Sequence, residues 1–389
     1  RSSLHKGGFS MSRKVGTWLA TVGASLGLVG MMFSGVGPVS MASAATHKVA
    51  HKAVHKDDRK HEHKAVGKGH KAVAVNPNPF GFHDPKAVIG VSYAFLGNSW
   101  RRTMQNDLTK ALNFAVAHHE IGGVDYTYAG NSTTAQISQI DDLILKHVSV
   151  ILMDATSSTG LNAVIAKATA DGIKVVNFDT PVTSPKAYVL NWNFVSFGER
   201  LAHYVADRLH GKGNVLLVRG IAGTSIDQGE DAGWMSVLKH YPKIKIVGTV
   251  YGDWDEATAE SAVAGLLPSL PKVSAVLVNG GGYGVISAFE SAHRPIPLVV
   301  GGNRGAFLRW WWAHRKTYHT FSYSTFPETG VLALYVAQFL LKGEHVPHRL
   351  WLQPLVITPK LLPHYKNTPS SAVADAHFSV EWVYQHLIK

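Results

Sequence analysis

The chain has 389 residues, enough for two domains with substantial cores, and its 46% hydrophobic content is that of a globular protein, with glycine and proline too widely spread for a fibrous or collagen-like class. Cysteine is absent, which excludes disulfides, a thiolate metal site, a cysteine nucleophile and a lipid-modified N-terminal cysteine. Residues 1–80 hold 12 Lys or Arg against 3 Asp or Glu, so they carry +9 of the formal +12, and the other 309 residues carry only +3.

The first part of the chain reads as targeting and spacer. Residues 1–12 read as an upstream extension, with Met11 as the expected biological start. In residues 13–45, Arg13 and Lys14 precede a long uncharged stretch that ends in small residues at Ala42-Ser43-Ala44. A positive start, an apolar middle and a small-residue end match an export signal, cleaved or retained as a single anchor. Residues 46–80 form a His/Lys-rich low-complexity linker that lacks the large apolar residues a core needs. It reads as a solvated spacer that gains charge as pH falls and is suited to contact with anionic cell envelope. His47, His51 and His55 share one helical face, which leaves a metal-binding reading open beside the spacer reading. The nearly neutral body gives no basic patch, so no specific nucleic-acid partner is expected.

From Lys86 the texture becomes an alternation of strands and helices. KAVIGVSYAF is a strand run, and SWRRTMQNDLTKALNFAVAHHE is an amphipathic helix with Met104, Leu108, Leu112 and Ala115 on one stripe. VDYTYAG, VSVILMDA and IKVVNFD are further strands, separated by helices over 133–147 and 159–172. The pattern then repeats. Strands NVLLVRG, KIKIVGTVY, SAVLVNG, PLVVGG and HTFSYS alternate with helices over 194–210, 229–241, 258–270, 284–292 and 304–316, and ETGVLALYVAQFLLKG closes the series as a helix. This spacing predicts two α/β domains, each a parallel sheet flanked by helices, with a simple boundary near 190–194. FSVEWVYQHLI reads as a short amphipathic helix near the end.

In open parallel sheets, ligands sit outside the carboxyl ends of strands. Those ends are polar or glycine-rich here: Phe95-Leu96-Gly97-Asn98, Asp154-Ala155-Thr156, Asp179-Thr180, Arg219-Gly220, Asn279-Gly280 and Gly302-Asn303-Arg304. Asp179 supplies an acceptor-only carboxylate suited to hydroxyl donors, or caps the turn that follows. The amide of Asn303 both donates and accepts, and Asn279 ends the equivalent strand. Gly280–Gly282 bring backbone close to a ligand or form a turn. Trp100 offers a stacking face and Arg101 a donor fork. Trp192 and Trp254 are weaker candidates, and at least one of Trp310, Trp311 and Trp312 must face away from the core. Neither G-x-G-x-x-G nor a Walker pattern follows a strand, the serines of TSS at 156–158 and GTS at 223–225 stand outside any G-x-S-x-G elbow, and HExxH is absent, so no enzyme, cofactor or metal site is expected in the body.

The ordered set AVIGVSYAFLGNSWRRTM, QIDDLILKHVSVILMDATSSTGLNAVIAKATADGIKVVNFD, GKGNVLLVRGIAGTSIDQGEDAGW, GTVYGDWDEATAESAVAGLL, SAVLVNGG and PLVVGGN resembles the periplasmic sugar-binding proteins of the ribose and galactose type. The resemblance spans residues 86–350. It implies two Rossmann-like lobes joined by a three-crossover hinge with a ligand cleft between them. Lobe one would be 86–191 plus 299–322 and lobe two 194–298 plus 323–350, with crossings near 191–193, 298–302 and 321–326. Residues 351–389 would hold a return to lobe one and a tail. It further implies an exported monomer that captures a monosaccharide or polyol for an ABC transporter permease, with a sensor input as the alternative. The implied contacts are Trp100, Arg101, Asp179, Asn193, Gln228, Asn279, Asn303 and Ser324. Three positions depart from the family pattern: Gln228 stands where an arginine is usual, Ser324 near a glutamine and Gly280 near an acid.

Overall fold

The computed structural model describes residues 78–389. The expected extension, the export signal and residues 46–77 of the linker, His47, His51 and His55 included, lie outside the described residues. Among the described residues, no helix is long and apolar enough to cross a membrane.

The first half runs β1 (Asp84–Tyr93), α1 (Ser99–Ala117), β2 (Ile121–Tyr128), α2 (Thr133–Leu145), β3 (Val150–Asp154), α3 (Asn162–Ala170), β4 (Lys174–Phe178) and β5 (Tyr188–Asn191). Every residue of β3 is buried, as befits a parallel strand covered on both faces. Helix α1 buries the stripe read from the sequence, Met104, Leu108, Leu112 and Ala115. Truncating Leu108 or Leu112 to Ala in such a stripe costs about 2–5 kcal/mol.

The second half runs α4 (Phe194–Arg208), β6 (Lys212–Arg219), α5 (Ser225–Leu238), β7 (Lys243–Tyr251), α6 (Glu256–Leu266), β8 (Ala275–Val278), α7 (Gly282–Ser291), β9 (Leu298–Val299), α8 (Gly305–His314) and β10 (Ser322–Ser324). It continues through α9 (Thr329–Leu341), β11 (Arg349–Trp351) and β12 (Leu355–Ile357). Two short helical pieces, Leu362–Tyr365 and Val380–Val383, follow.

Two parallel sheets result, ordered β11-β5-β4-β3-β1-β2 and β7-β6-β8-β9. Each is the floor of one lobe. An antiparallel pair of β10 and β12 joins the second sheet through a bridge between Gly301 and Ser322.

The pairing moves one boundary relative to the sequence expectation. Residues 299–322 were expected in lobe one, yet Val299 pairs with Val276 of β8, and Tyr323 N donates to Gly301 O at 3.2 Å, so this stretch belongs to lobe two. Residues 323–350 were expected in lobe two. Instead α9 packs on α1, β3 and β4, and β11 pairs with β5, so most of this stretch belongs to lobe one. The physical reason lies in α9, which is apolar on all sides and must be covered all round. It sits against the first sheet with Gln338 Nε2 donating to the buried Glu120 Oε2 at 2.6 Å. The chain therefore crosses between lobes near 192–193, 325–328 and 352–354, and the expected crossing near 298–302 does not occur. The third of these leads to β12 in lobe two, where the sequence reading placed a return to lobe one; the chain goes back to lobe one only after Ala374, whose N donates to Asn303 O, and Val380–Val383 then packs on α9.

Candidate functional site

The carboxyl ends of both sheets meet at one cleft. Buried side-chain amides shape its first-lobe edge. Gln136 Nε2 donates to Ser92 Oγ at 3.1 Å and Asp154 O at 2.7 Å, while its oxygen accepts from Thr156 N at 2.8 Å. Asn177 Nδ2 donates to Met153 O and Thr180 O, and its oxygen accepts from Val182 N at 3.0 Å. These bonds hold the turn in which Asp179 takes a left-handed φ of 59°. A non-glycine residue in that region is uncommon and points to a constrained site.

Asn98 caps α1 by accepting from Arg101 N at 2.9 Å, which sets Trp100 and Arg101 in the first turn beside the cleft. The Arg101 guanidinium is buried between two carboxylates, 3.2 Å from Asp154 and 2.6 Å from Asp179. It also donates to Thr180 Oγ1 at 2.8 Å and lies over the Trp254 ring at 5.6 Å. Burial alone would lower its pKa, but the two carboxylates override this and raise it. Burial pushes Asp154 up to about 7 despite Arg101, and it raises Asp179 as well. Arg101 is therefore a brace that holds Asp179 in place, more than a free donor.

A cavity of about 110 Å³ lies between the lobes. It is roomy enough for several waters or one small polar ligand. The first lobe lines it with Asn98, Trp100, Arg101 and Asp179, and the second with Phe194, Phe197, Glu230, Trp254, Asn279 and Tyr323 among others. Asn303 and Ser324 line it too. Several of these side chains carry buried polar atoms with no hydrogen-bond partner among the described residues: Trp100 Nε1, Trp254 Nε1, Asn279 Nδ2, Ser324 Oγ and Glu230 Oε2. Three are donors, one is an acceptor when ionised, and the serine hydroxyl is both. Native proteins pair most of their buried polar groups, so such a cluster around one cavity suits a ligand rich in hydroxyls.

The cleft also holds bonds between the lobes. Arg304 of lobe two reaches Ser99 of lobe one, donates to Trp254 O at 2.5 Å and lies 3.6 Å from Glu256. Ser225 Oγ lies 3.4 Å from Pro181 O across the gap. The lobes are drawn together.

The sequence candidates do not all reach the cavity. Trp100, Arg101, Asp179, Asn279, Asn303 and Ser324 line it. Asn303 Nδ2 is engaged elsewhere, donating to Thr325 O and to Ala374 O at 2.7 Å. Asn193 does not line it. It is exposed and caps α4 by accepting from Ser196 N at 3.1 Å. Gln228 is exposed too and reaches back to Gly223 O. The reason is helix phase. Thr224 caps α5, so the helix starts at Ser225, four residues earlier than the sequence reading, and Ile226, Glu230, Gly233, Trp234 and Val237 face inward. Glu230 thus takes the cavity position expected of Gln228. The i, i+4 step from Ile226 to Glu230 was the available signal. Gly198 makes this possible: a Cβ there would stand 2.3 Å from Glu230 O, so only glycine lets α4 approach so closely.

Trp254 lines the cavity, whereas Trp192 is core, 1% exposed. Gly280 and Gly281 both take positive φ, and a Cβ on Gly280 would meet Trp254 Cα at 3.1 Å. They serve as a tight turn and as a close approach at once. Of the clustered tryptophans, Trp310 and Trp311 are buried, and Trp312 faces outward beneath Arg315.

The family model described as periplasmic binding protein domain matches residues 89–345. An ABC transporter solute binding protein from Thermobispora bispora has a crystal structure that superposes with a TM-score of 0.73 at 34% identity, covering 78% of this chain and 95% of that one. The xylitol-binding protein of Mycolicibacterium smegmatis is 28% identical over 177 residues, 44% of this chain and 51% of that protein. The ribose import binding protein RbsB of Bacillus subtilis is 27% identical over 183 residues, 46% of this chain and 59% of that protein. The matched part thus spans about half the length of these curated relatives.

Proposed function

The chain belongs to the periplasmic binding protein domain family, and on that premise we propose that it is an exported solute-binding protein that captures a monosaccharide or polyol for an ABC importer. The observation that carries this reading is the cavity between the lobes, ringed by buried and unpartnered donors and acceptors. Trp100 and Trp254 supply stacking faces, Asp179 accepts from hydroxyls while Arg101 steadies it, and Asn279 and Ser324 bind the remaining polar edge. The curated relatives bind xylitol and ribose by name, which supports the ligand class. The crossovers between the lobes let them close by hinge motion, and the closed form is what a permease would read. The protein acts as a monomer in this reading, and its basic linker meets anionic envelope.

The test is a thermal-shift screen of the full chain against a broad sugar and polyol panel. Ligand at about 100 times its Kd stabilises the folded state by about 2.7 kcal/mol. At least one panel member is expected to raise Tm, and Asp179→Ala is expected to remove that shift. A panel without any shift would overturn the ligand class. A shift untouched by Asp179→Ala would overturn the placement of the site.

A further inference from the structure

The charged groups around the cavity are paired with one exception. Arg101 is bridged to Asp154 and Asp179, and Arg304 lies beside Glu256. Glu230 is only 4% exposed, forms no ion pair among the described residues, and leaves Oε2 buried without a hydrogen bond. Arg219, on the same lobe, is committed to Asp227 and Asp231. Arg200 reaches the Tyr323 ring at 5.7 Å, but it is exposed and does not pair with Glu230.

The cavity wall contributed by the same lobe is aromatic. Phe194 and Phe197 stand on α4 with ring centroids 6.4 Å apart, and Phe197 lies 4.5 Å from Tyr323 of β10. All three rings line the cavity together with Glu230. A lone carboxylate in such a wall is costly to ionise. Burial, with Asp227 adding to it, raises its pKa well above the ordinary glutamate range. A neutral hydroxyl entering the site gives it one hydrogen bond. An ammonium gives it charge and several N–H donors, and the faces of the three rings attract the same cation.

The geometry points to a ligand that carries a protonated amine beside its hydroxyls, an amino sugar or amino polyol, with the ammonium against Glu230 and the rings of Phe194, Phe197 and Tyr323. The hydroxyls then fall to Asp179, Asn279 and Ser324. This inference rests on the reading of the cleft as a site for a small polyhydroxy ligand. Binding ionises Glu230, whose proton leaves to solvent.

The experiment is isothermal titration of the full chain with matched pairs: D-glucosamine with D-glucose, D-galactosamine with D-galactose, and D-glucamine with sorbitol. Within at least one pair, the amine is expected to bind roughly tenfold to a hundredfold more tightly, the span of one charged hydrogen bond. Glu230→Gln is expected to bring that pair close to parity by weakening the amine far more than the neutral member. Tyr323→Leu removes one ring and keeps the carboxylate, and it is expected to reduce the preference about threefold to tenfold. A neutral parent that binds as tightly as its amine in the wild type overturns this inference and leaves the polyol reading standing. A Glu230→Gln change that weakens both members equally also overturns it. If no member of any pair binds, and the broader neutral panel is silent as well, the underlying reading falls and takes this one with it.

Discussion

The two walls of the cleft handle charge in opposite ways. The first-lobe wall pairs its charges: Arg101 sits between Asp154 and Asp179, and each of these carboxylates has a cation within 3.2 Å. The second-lobe wall leaves Glu230 Oε2, Asn279 Nδ2 and Ser324 Oγ without hydrogen-bond partners among the described residues. The first wall therefore contributes rigidity and a fixed acceptor, and the second contributes groups whose partners come from the ligand. Loss of the Arg101 brace should register mainly in stability, and a change at Asp179 or in the second wall mainly in what binds.

The largest expected effect follows from removing the brace. Arg101→Met leaves two buried carboxylates without a cation, which costs about 3–5 kcal/mol when one partner of a buried pair is lost. Urea unfolding monitored by far-UV circular dichroism measures it, and a loss below about 1 kcal/mol would erase the contrast between the walls. Next comes Asp179→Asn, which keeps the shape but loses the charge. Ligand affinity should fall about tenfold to a hundredfold by calorimetry, the worth of one hydrogen bond to a charged group.

The pH dependence of stability is a third way to sharpen the comparison. Asp154 in the first wall and Asp375, far along the chain, are both pushed up to about 7 by burial. Each holds its proton more tightly folded than unfolded. Their contribution is complete below about pH 4, the ordinary aspartate range, and is lost as pH rises through about 7. Unfolding free energy should therefore decline between pH 5 and pH 8. Asp375→Asn keeps an acceptor for Glu328 N and Ala376 N while removing the titration, so it should flatten part of that decline. A steeper decline in the variant would contradict the assignment. The smallest effects belong outside the cleft. Asn193→Ala removes a helix cap and should cost about 1 kcal/mol of stability, and Gln228→Ala should cost less than about 0.5 kcal/mol. Neither should change ligand affinity, and calorimetry on both variants checks it.

These last two residues show where sequence reasoning reached its limit. The strand ends were legible because period and polarity change together there, so Asp179, Asn279 and Asn303 stand out. The stripe of α1 was legible because four apolar residues recur at helical spacing. The start of α5 was not, since it depends on Thr224 capping a turn that reads as loop, and the shift moves Gln228 outward and Glu230 inward. Lobe membership failed for a different reason. Strand β9 is only two residues long, and α9 has no polar face, so neither announces which sheet it covers. The role of Arg101 was half legible: the residue type fits ligand binding, but its two carboxylate partners lie 53 and 78 positions further on, a pairing only the folded chain reveals.

The claim on which the rest depends is that a ligand is trapped between two lobes that close over it. Small-angle X-ray scattering of the full chain, with and without a saturating amount of the best panel ligand, tests it most directly. The radius of gyration is expected to fall on ligand addition in the wild type and to stay unchanged in Asp179→Ala. A ligand that binds by calorimetry yet leaves the wild-type scattering curve unaltered would contradict it.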